Sequence, residues 1–216
     1  MAYGDFTLLS VIAALNLSTE TGDLFGQLES LRVPDWLVES LAEGRRQALV
    51  SEKARSEFLV APILLAGRKL TSTQVSIFSG QRLDVCPEKG LQGECDFILA
   101  TASTAYLLGA PVLTIVEAKK NDIEVGLGQC IAQMAGSQMF NQQAGIVDWA
   151  VYGCVTTGED WQFLKLKDQH VTIDANRFYI DSVGQILAVL QTIIKRSGTW
   201  CRTNEQTAKF QVIGQA

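Results

Sequence analysis

Gly93–Met134 reads GECDFILATASTAYLLGAPVLTIVEAKKNDIEVGLGQCIAQM, and its reading decides the fold. Two apolar runs with strand character sit in it, Phe97-Ile98-Leu99-Ala100 and Val112-Leu113-Thr114-Ile115-Val116, joined by a long connection from Thr101 to Pro111. Each run carries acid at one end: Asp96 opens the first, and Glu117-Ala118-Lys119 closes the second. Side chains alternate along a strand, so Glu117 and Lys119 project to one side with Ala118 opposite. If the two strands pair, Asp96, Glu117 and Lys119 converge on one small volume. Carboxylates at the edge of an apolar sheet are costly to bury without a cationic partner. A hard divalent cation such as Mg²⁺ suits them, because it takes oxygen ligands from one or two carboxylates and leaves positions for water. A lysine beside it would position attacking water and offset developing negative charge. The alternative is a solvated strand end carrying a surface ion pair, which contributes little.

Working outward, Lys120-Asn121-Asp122 turns the chain into a helix from Gly126 to Ser137. Gly126 and Gly128 permit close backbone approach, but the spacing makes no Walker-type phosphate loop. Gln129, Gln133 and Gly136 fall near one helix face. Val147–Val155 is a near-continuous apolar strand, Trp161–Leu166 a second, and Val171–Ile173 and Arg177–Ile180 two short ones. The last helix starts near Val183 behind Asp181-Ser182 and stops at Gly198. Upstream, Gln74–Val85 is the first strand region, bent at Ser79-Gly80. Pro87–Gly90 makes the turn into the acid strand, where Asp84 and Glu94 are rival first acids. A helix is expected over Arg45–Ala66, kinked or divided by Pro62 and stopped by Gly67. Asp5 caps an earlier helix, with Phe6, Leu9, Ala13 and Leu17 at helical spacing. Pro34-Asp35-Trp36 opens another through Glu43. Thr19–Gly26 reads as a polar connection.

At Asp96, Glu117 and Lys119 the sequence resembles the PD-(D/E)XK, or restriction-endonuclease-like, nuclease superfamily. That family pairs an acid on its second core strand with a Glu-x-Lys on the third, followed by a helix. Gln129 stands ten residues past Lys119, where some members carry a glutamine. Cys95 occupies the position of the family's proline, and Gln133 that of a frequent aromatic. The resemblance implies an α/β fold with a mixed central sheet flanked by helices on an α-β-β-β-α-β core. It implies a metal-dependent nuclease, DNA favoured as substrate, with Mg²⁺ or Mn²⁺ held by Asp96, Glu117 and the Ala118 backbone carbonyl. Lys119 would activate water, and Gln129 would assist on phosphate or the scissile strand. A glutamate of the first core helix would reach the metal, Glu57 first and Glu52 second. Cutting both strands of a duplex would suit a homodimer. The rival expectation is a catalytically inactive scaffold of the same fold that binds nucleic acid or a protein partner.

Composition narrows the classes. The chain has 216 residues, 47% hydrophobic and 19% charged, enough for one domain with a good core. We divide it into a helical extension (1–44) packed on the core, an α/β domain (45–200) and a C-terminal tail (201–216). A single histidine, His170, excludes two-His metal sites and leaves little material for His-activated nucleophiles, and is expected to be structural. Five cysteines without a CxxC indicate neither a disulfide framework nor a zinc site. The apolar run Phe6–Leu17 is too short to span a bilayer, so a cytoplasmic, membrane-free protein is expected. The net charge of −5 argues against indiscriminate nucleic-acid binding. Arg45–Lys69, however, holds six basic residues against two acidic ones, suggesting one phosphate-facing side. Tyr106, in the long connection, is a candidate substrate contact.

Overall fold

A computed structural model describes residues 1–101 and 107–203. Strand β4 (Val112–Ala118) is buried along its whole length, so it must be covered on both faces. It pairs antiparallel with β3 (Glu94–Ala100) and parallel with β5 (Val151–Thr156). A parallel pair needs a crossover, and helix α5 (Ile123–Gln143) provides it. Strands β6 (Asp160–Lys167) and β7 (His170–Tyr179) continue as an antiparallel meander. Strand β2 (Ser76–Arg82) forms one edge and β1 (Ser18–Gly22) the other. The result is an α/β fold whose seven-stranded mixed sheet has the order β1-β7-β6-β5-β4-β3-β2.

Two apolar layers cover the sheet. One joins Phe97, Val116, Trp161 and Phe163 to helices α2 (Asp35–Gly44), α4 (Ala61–Lys69) and α6 (Val183–Thr203). The other joins Ile98, Ile115 and Leu164 to α5 and to α1 (Leu8–Leu15). The two helices of the expected N-terminal extension therefore lie on opposite faces. Among the described residues no helix is long and apolar enough to cross a membrane.

Several local expectations are corrected. The helix expected from Arg45 begins at Glu52, because the Ser51 side chain caps it by accepting from Ala54 N–H at 3.1 Å. After α3 (Glu52–Arg55) the chain passes through a π-helical stretch, Ser56–Val60, before α4. That wider turn absorbs Pro62, whose missing N–H leaves the Phe58 carbonyl without its usual α-helical donor. Gly44 lies on this carbonyl; a Cβ there would come within 2.4 Å of it. Gly67 does not stop the helix. It makes room for Leu190 of α6, 2.9 Å from where its Cβ would be. The first helix is capped by Thr7, not Asp5, whose carboxylate accepts from Ala2 N–H.

The Thr19–Gly26 connection begins as strand β1. Its exposed STETG sequence has no apolar alternation, and only backbone pairing with β7 makes it a strand. The two short strands after Val171 are one, and α6 runs past Gly198 to Thr203. Tyr106 and tail residues 204–216 lie outside the described residues.

Candidate active site

Phe97 faces Val116 across the β3–β4 pair, so the next step of the ladder brings Asp96 to Glu117. Asp96 Oδ2 accepts from the Ala118 N–H at 2.7 Å. In a strand the N–H and C=O of one residue face the same neighbour, so the Ala118 carbonyl is directed to the Asp96 side as well. Glu117 is 2% exposed. Lys119 is tied to β5 by its N–H donating to Thr156 O at 2.7 Å. Its Nζ returns over the strand end to Glu117 Oε1 at 2.8 Å and reaches Gln129 Oε1 at 3.0 Å. The other Glu117 oxygen accepts from Gln133 Nε2 at 2.9 Å. The structure thus brings Asp96, Glu117, Lys119 and Gln129 together, and adds Gln133.

Gln133 was expected on the same helix face as Gln129 but was not named as a site residue. It is fully buried, and its Nε2 also lies 3.4 Å from the Glu94 carbonyl. One signal could have found it. Gln129, Gln133, Ser137 and Asn141 recur every four residues along α5, a polar stripe on one face. Asn141 ends that stripe by accepting from Val112 N–H at 2.7 Å and donating to Val112 O at 3.0 Å. The stripe therefore runs the length of β4, from Val112 to Lys119.

The glycines of α5 allow close approach, as expected, but to the protein itself. A Cβ on Gly128 would meet the Phe6–Leu8 backbone at 2.3–2.7 Å, and one on Gly136 the Tyr3 hydroxyl at 2.2 Å. Gly126 sits on Val155 and the Lys119 side chain.

Burial dominates the electrostatics. It pushes the Glu117 carboxyl up to about 7, with Asp96 adding repulsion and Lys119 pulling back. Asp96 is also raised, first by burial, with the Ala118 N–H and Lys119 opposing and Glu52 and Glu94 adding. Burial alone would lower Lys119, but Glu117, Glu52 and Asp96 hold its ammonium above the usual lysine range. Of the two helix glutamates, it is Glu52, the second choice, whose charge is felt at Asp96 and Lys119. Glu57, the first choice, is half exposed and paired with Lys53 at 3.8 Å.

Other candidates are placed elsewhere. Asp84 clamps a turn, pairing with Arg82 at 3.0 Å and accepting from Gly93 N–H at 2.8 Å. His170 is structural: Ser18 Oγ lies 2.8 Å from its Nδ1 and Glu20 Oε1 3.0 Å from its Nε2, joining β1 to β7. The basic run is largely engaged. Arg45 pairs with Asp181 and Arg46 with Glu43, both at 2.6 Å. Arg55 and Arg68 donate to the carbonyls of Thr157 and Val75.

Among the described residues no group of three or more His, Cys, Asp or Glu side chains is disposed to hold a metal ion. The side-chain oxygens offered are those of Asp96 and Glu117. When the chain is compared with known protein families and with curated proteins, no family model and no curated protein matches it.

Proposed function

We propose that the chain is a metal-dependent nuclease with a restriction-endonuclease-like core, hydrolysing phosphodiester bonds of nucleic acid, DNA favoured. The carrying observation is Glu117: a carboxylate 2% exposed at a strand end, bonded to Lys119, with Asp96 on the neighbouring strand. The reading is supported by the chain order from α3 to β5, which is α-β-β-β-α-β when the consecutive helical stretches of residues 52–69 are taken as one.

The residues fit a hard divalent cation. Asp96, Glu117 and the Ala118 carbonyl offer oxygen ligands only, and burial raises both carboxyls, with Asp96 adding to the rise at Glu117, which a cation would relieve. Bound there, Mg²⁺ or Mn²⁺ would supply a Lewis acid for a phosphoryl oxygen and acidify its own water. Lys119 orients the attacking water from its place between Glu117 and Gln129, and its charge offsets that of the transition state. Gln133 holds the Glu117 carboxylate in plane, and Gln129 holds the ammonium.

One observation favours a second reading, a catalytically inactive scaffold that binds nucleic acid or a protein. Both Glu117 oxygens are already taken, by Lys119 and Gln133. The deciding experiment is cleavage of labelled single- and double-stranded DNA and RNA with Mg²⁺ or Mn²⁺, for wild type, Lys119→Ala and Asp96→Ala. The nuclease reading expects metal-dependent cutting that falls about 100-fold or more in both variants. Cutting that survives both would refute it. A folded wild type that shifts nucleic acid on a gel but cuts nothing would leave the scaffold.

A further inference from the structure

Two buried polar atoms on the α5 side of the sheet have no hydrogen-bond partner among the described residues: Tyr3 Oη and Gln133 Oε1. Their residues are 1% and 0% exposed. Buried polar atoms are almost always satisfied, and these two are complementary. The phenol has a proton to give. The amide oxygen can only accept, and the NH₂ of the same amide is committed to Glu117 Oε2 and the Glu94 carbonyl.

Their surroundings coincide. Tyr3 Oη rests on Gly136, 2.2 Å from where a Cβ would stand, and Gln133 precedes Gly136 by one helical turn on the same face. On the strand side, Tyr3 N–H donates to Gln92 O at 3.0 Å and its ring packs 3.3 Å from a Cβ position at Gly93. Gln133 reaches Glu94, the next residue along. One short segment, Gln92-Gly93-Glu94, thus flanks both groups.

We propose that the Tyr3 hydroxyl donates to Gln133 Oε1 through one shared buried water, making Tyr3 and Gln133 positioning residues for Glu117. This role rests on Glu117 being the carboxylate of the proposed site. The bond locks the amide. An isolated glutamine can rotate half a turn and exchange its O and N, which would aim the carbonyl at a carboxylate oxygen and repel it. A fixed proton on the Oε1 side removes that alternative, so the NH₂ stays on Glu117. The N-terminal segment becomes the outer end of a chain Tyr3–Gln133–Glu117–Lys119, and Gly136 is the gap through which it enters.

The test is a double-mutant cycle on the full chain in EDTA, with Tyr3→Phe, Gln133→Met and their combination. It is read by thermal unfolding and by the side-chain amide resonances of ¹⁵N-glutamine-labelled protein. Tyr3→Phe is expected to lower Tm by about 2–4 °C, the shift of a modest lost interaction in a chain of this size. It should also move the Gln133 NH₂ pair. In the Gln133→Met background the same change should leave Tm unchanged or raise it. A Tyr3→Phe variant with equal or higher Tm overturns the proposal. So does a lower Tm with an unmoved Gln133 amide, since that is packing alone. If Gln133→Met does not fold, the amide shift in Tyr3→Phe decides. None of these readouts requires cleavage, so a wild type that cuts nothing would remove the nuclease reading and leave this bond standing. Where cleavage is measurable, Tyr3→Phe should reduce kcat with KM unchanged.

Discussion

The α5 face and the Arg45–Lys69 run use polar residues in opposite ways. Against α5, few charges are present, but Glu117, Gln133, Ser137 and Asn141 are buried and bonded to one another or to β4. Along Arg45–Lys69, charges are many, and the ion pairs they form stay in water: the Arg45, Arg46 and Lys53 side chains are 45%, 72% and 83% exposed. A charge count draws attention to the second region. Burial makes the first energetically sensitive, because a buried polar group left unpaired costs far more than a surface pair contributes.

The sharpest way to break this contrast is Lys119→Met. It leaves Glu117 buried with one hydrogen bond fewer and no cation, which should cost about 3 kcal/mol at pH 8. At pH 5 Glu117 is protonated and the cost should shrink to a fraction of that. Denaturant midpoints at the two pH values measure it. An equal cost at both would mean that the methylenes of Lys119, not its charge, carry the effect.

Wild type itself should show the same burial as a pH slope. Burial, then Asp96, raises the Glu117 carboxyl to about 7 in the folded chain. Between the ordinary glutamate range and about 7 the native state keeps a proton that the unfolded chain has released. Stability then falls as pH rises through that window and levels off above it. Asp96 is raised too and acts in the same direction. The expected loss is on the order of 2–3 kcal/mol. If the two carboxylates bind Mg²⁺ as proposed, excess Mg²⁺ should flatten the slope. Unfolding midpoints between pH 5 and 8, with EDTA or Mg²⁺, test both statements; stability that rises over this range would contradict them.

A smaller effect is expected at the join between the regions. Ser51 caps the helix that carries Glu52 and so fixes the glutamate whose charge acts on Asp96 and Lys119. Ser51→Ala should cost about 1 kcal/mol. Ser51→Asp, which keeps a capping oxygen, should restore most of it.

This cap marks where legibility ended. The acid strand, the Glu-x-Lys strand and the helix with Gln129 were readable because strand alternation and chain order act locally, and the structure brings those residues together. Glu52 against Glu57 was not, since the helix starts seven residues later than expected and turns π-helical at Ser56. Gln133 was placed on the face of Gln129, but its burial against Glu117 was not legible, because a glutamine carries no mark of burial; its four-residue spacing from Ser137 and Asn141 was the available sign. Strand β1 was invisible, since STETG has no alternation and is a strand only by pairing with β7. Tyr3 lay far away in sequence, and nothing local shows that Gly136 and Gly93 make room for it.

The smallest effects belong to the exposed pairs, and they carry the clearest lesson about nucleic acid. Arg45 and Asp181 approach to 2.6 Å, yet the side chains are 45% and 82% exposed, so water and salt screen them. Arg45→Ala, Arg46→Ala and Lys53→Ala should each change stability by less than about 0.5 kcal/mol. Nucleic-acid binding turns the same variants into a discriminating measurement. Replacing a phosphate-bound cation by alanine lowers the slope of log affinity against log salt by about 1. An arginine already paired with Asp181 or Glu43 must give up that partner first, so its net contribution should be smaller. We expect near-unchanged salt slopes for Arg45→Ala and Arg46→Ala. A slope lower by a full unit in either variant would mean that these pairs open to phosphate, and that the basic run, not the α5 end of the sheet alone, faces the substrate.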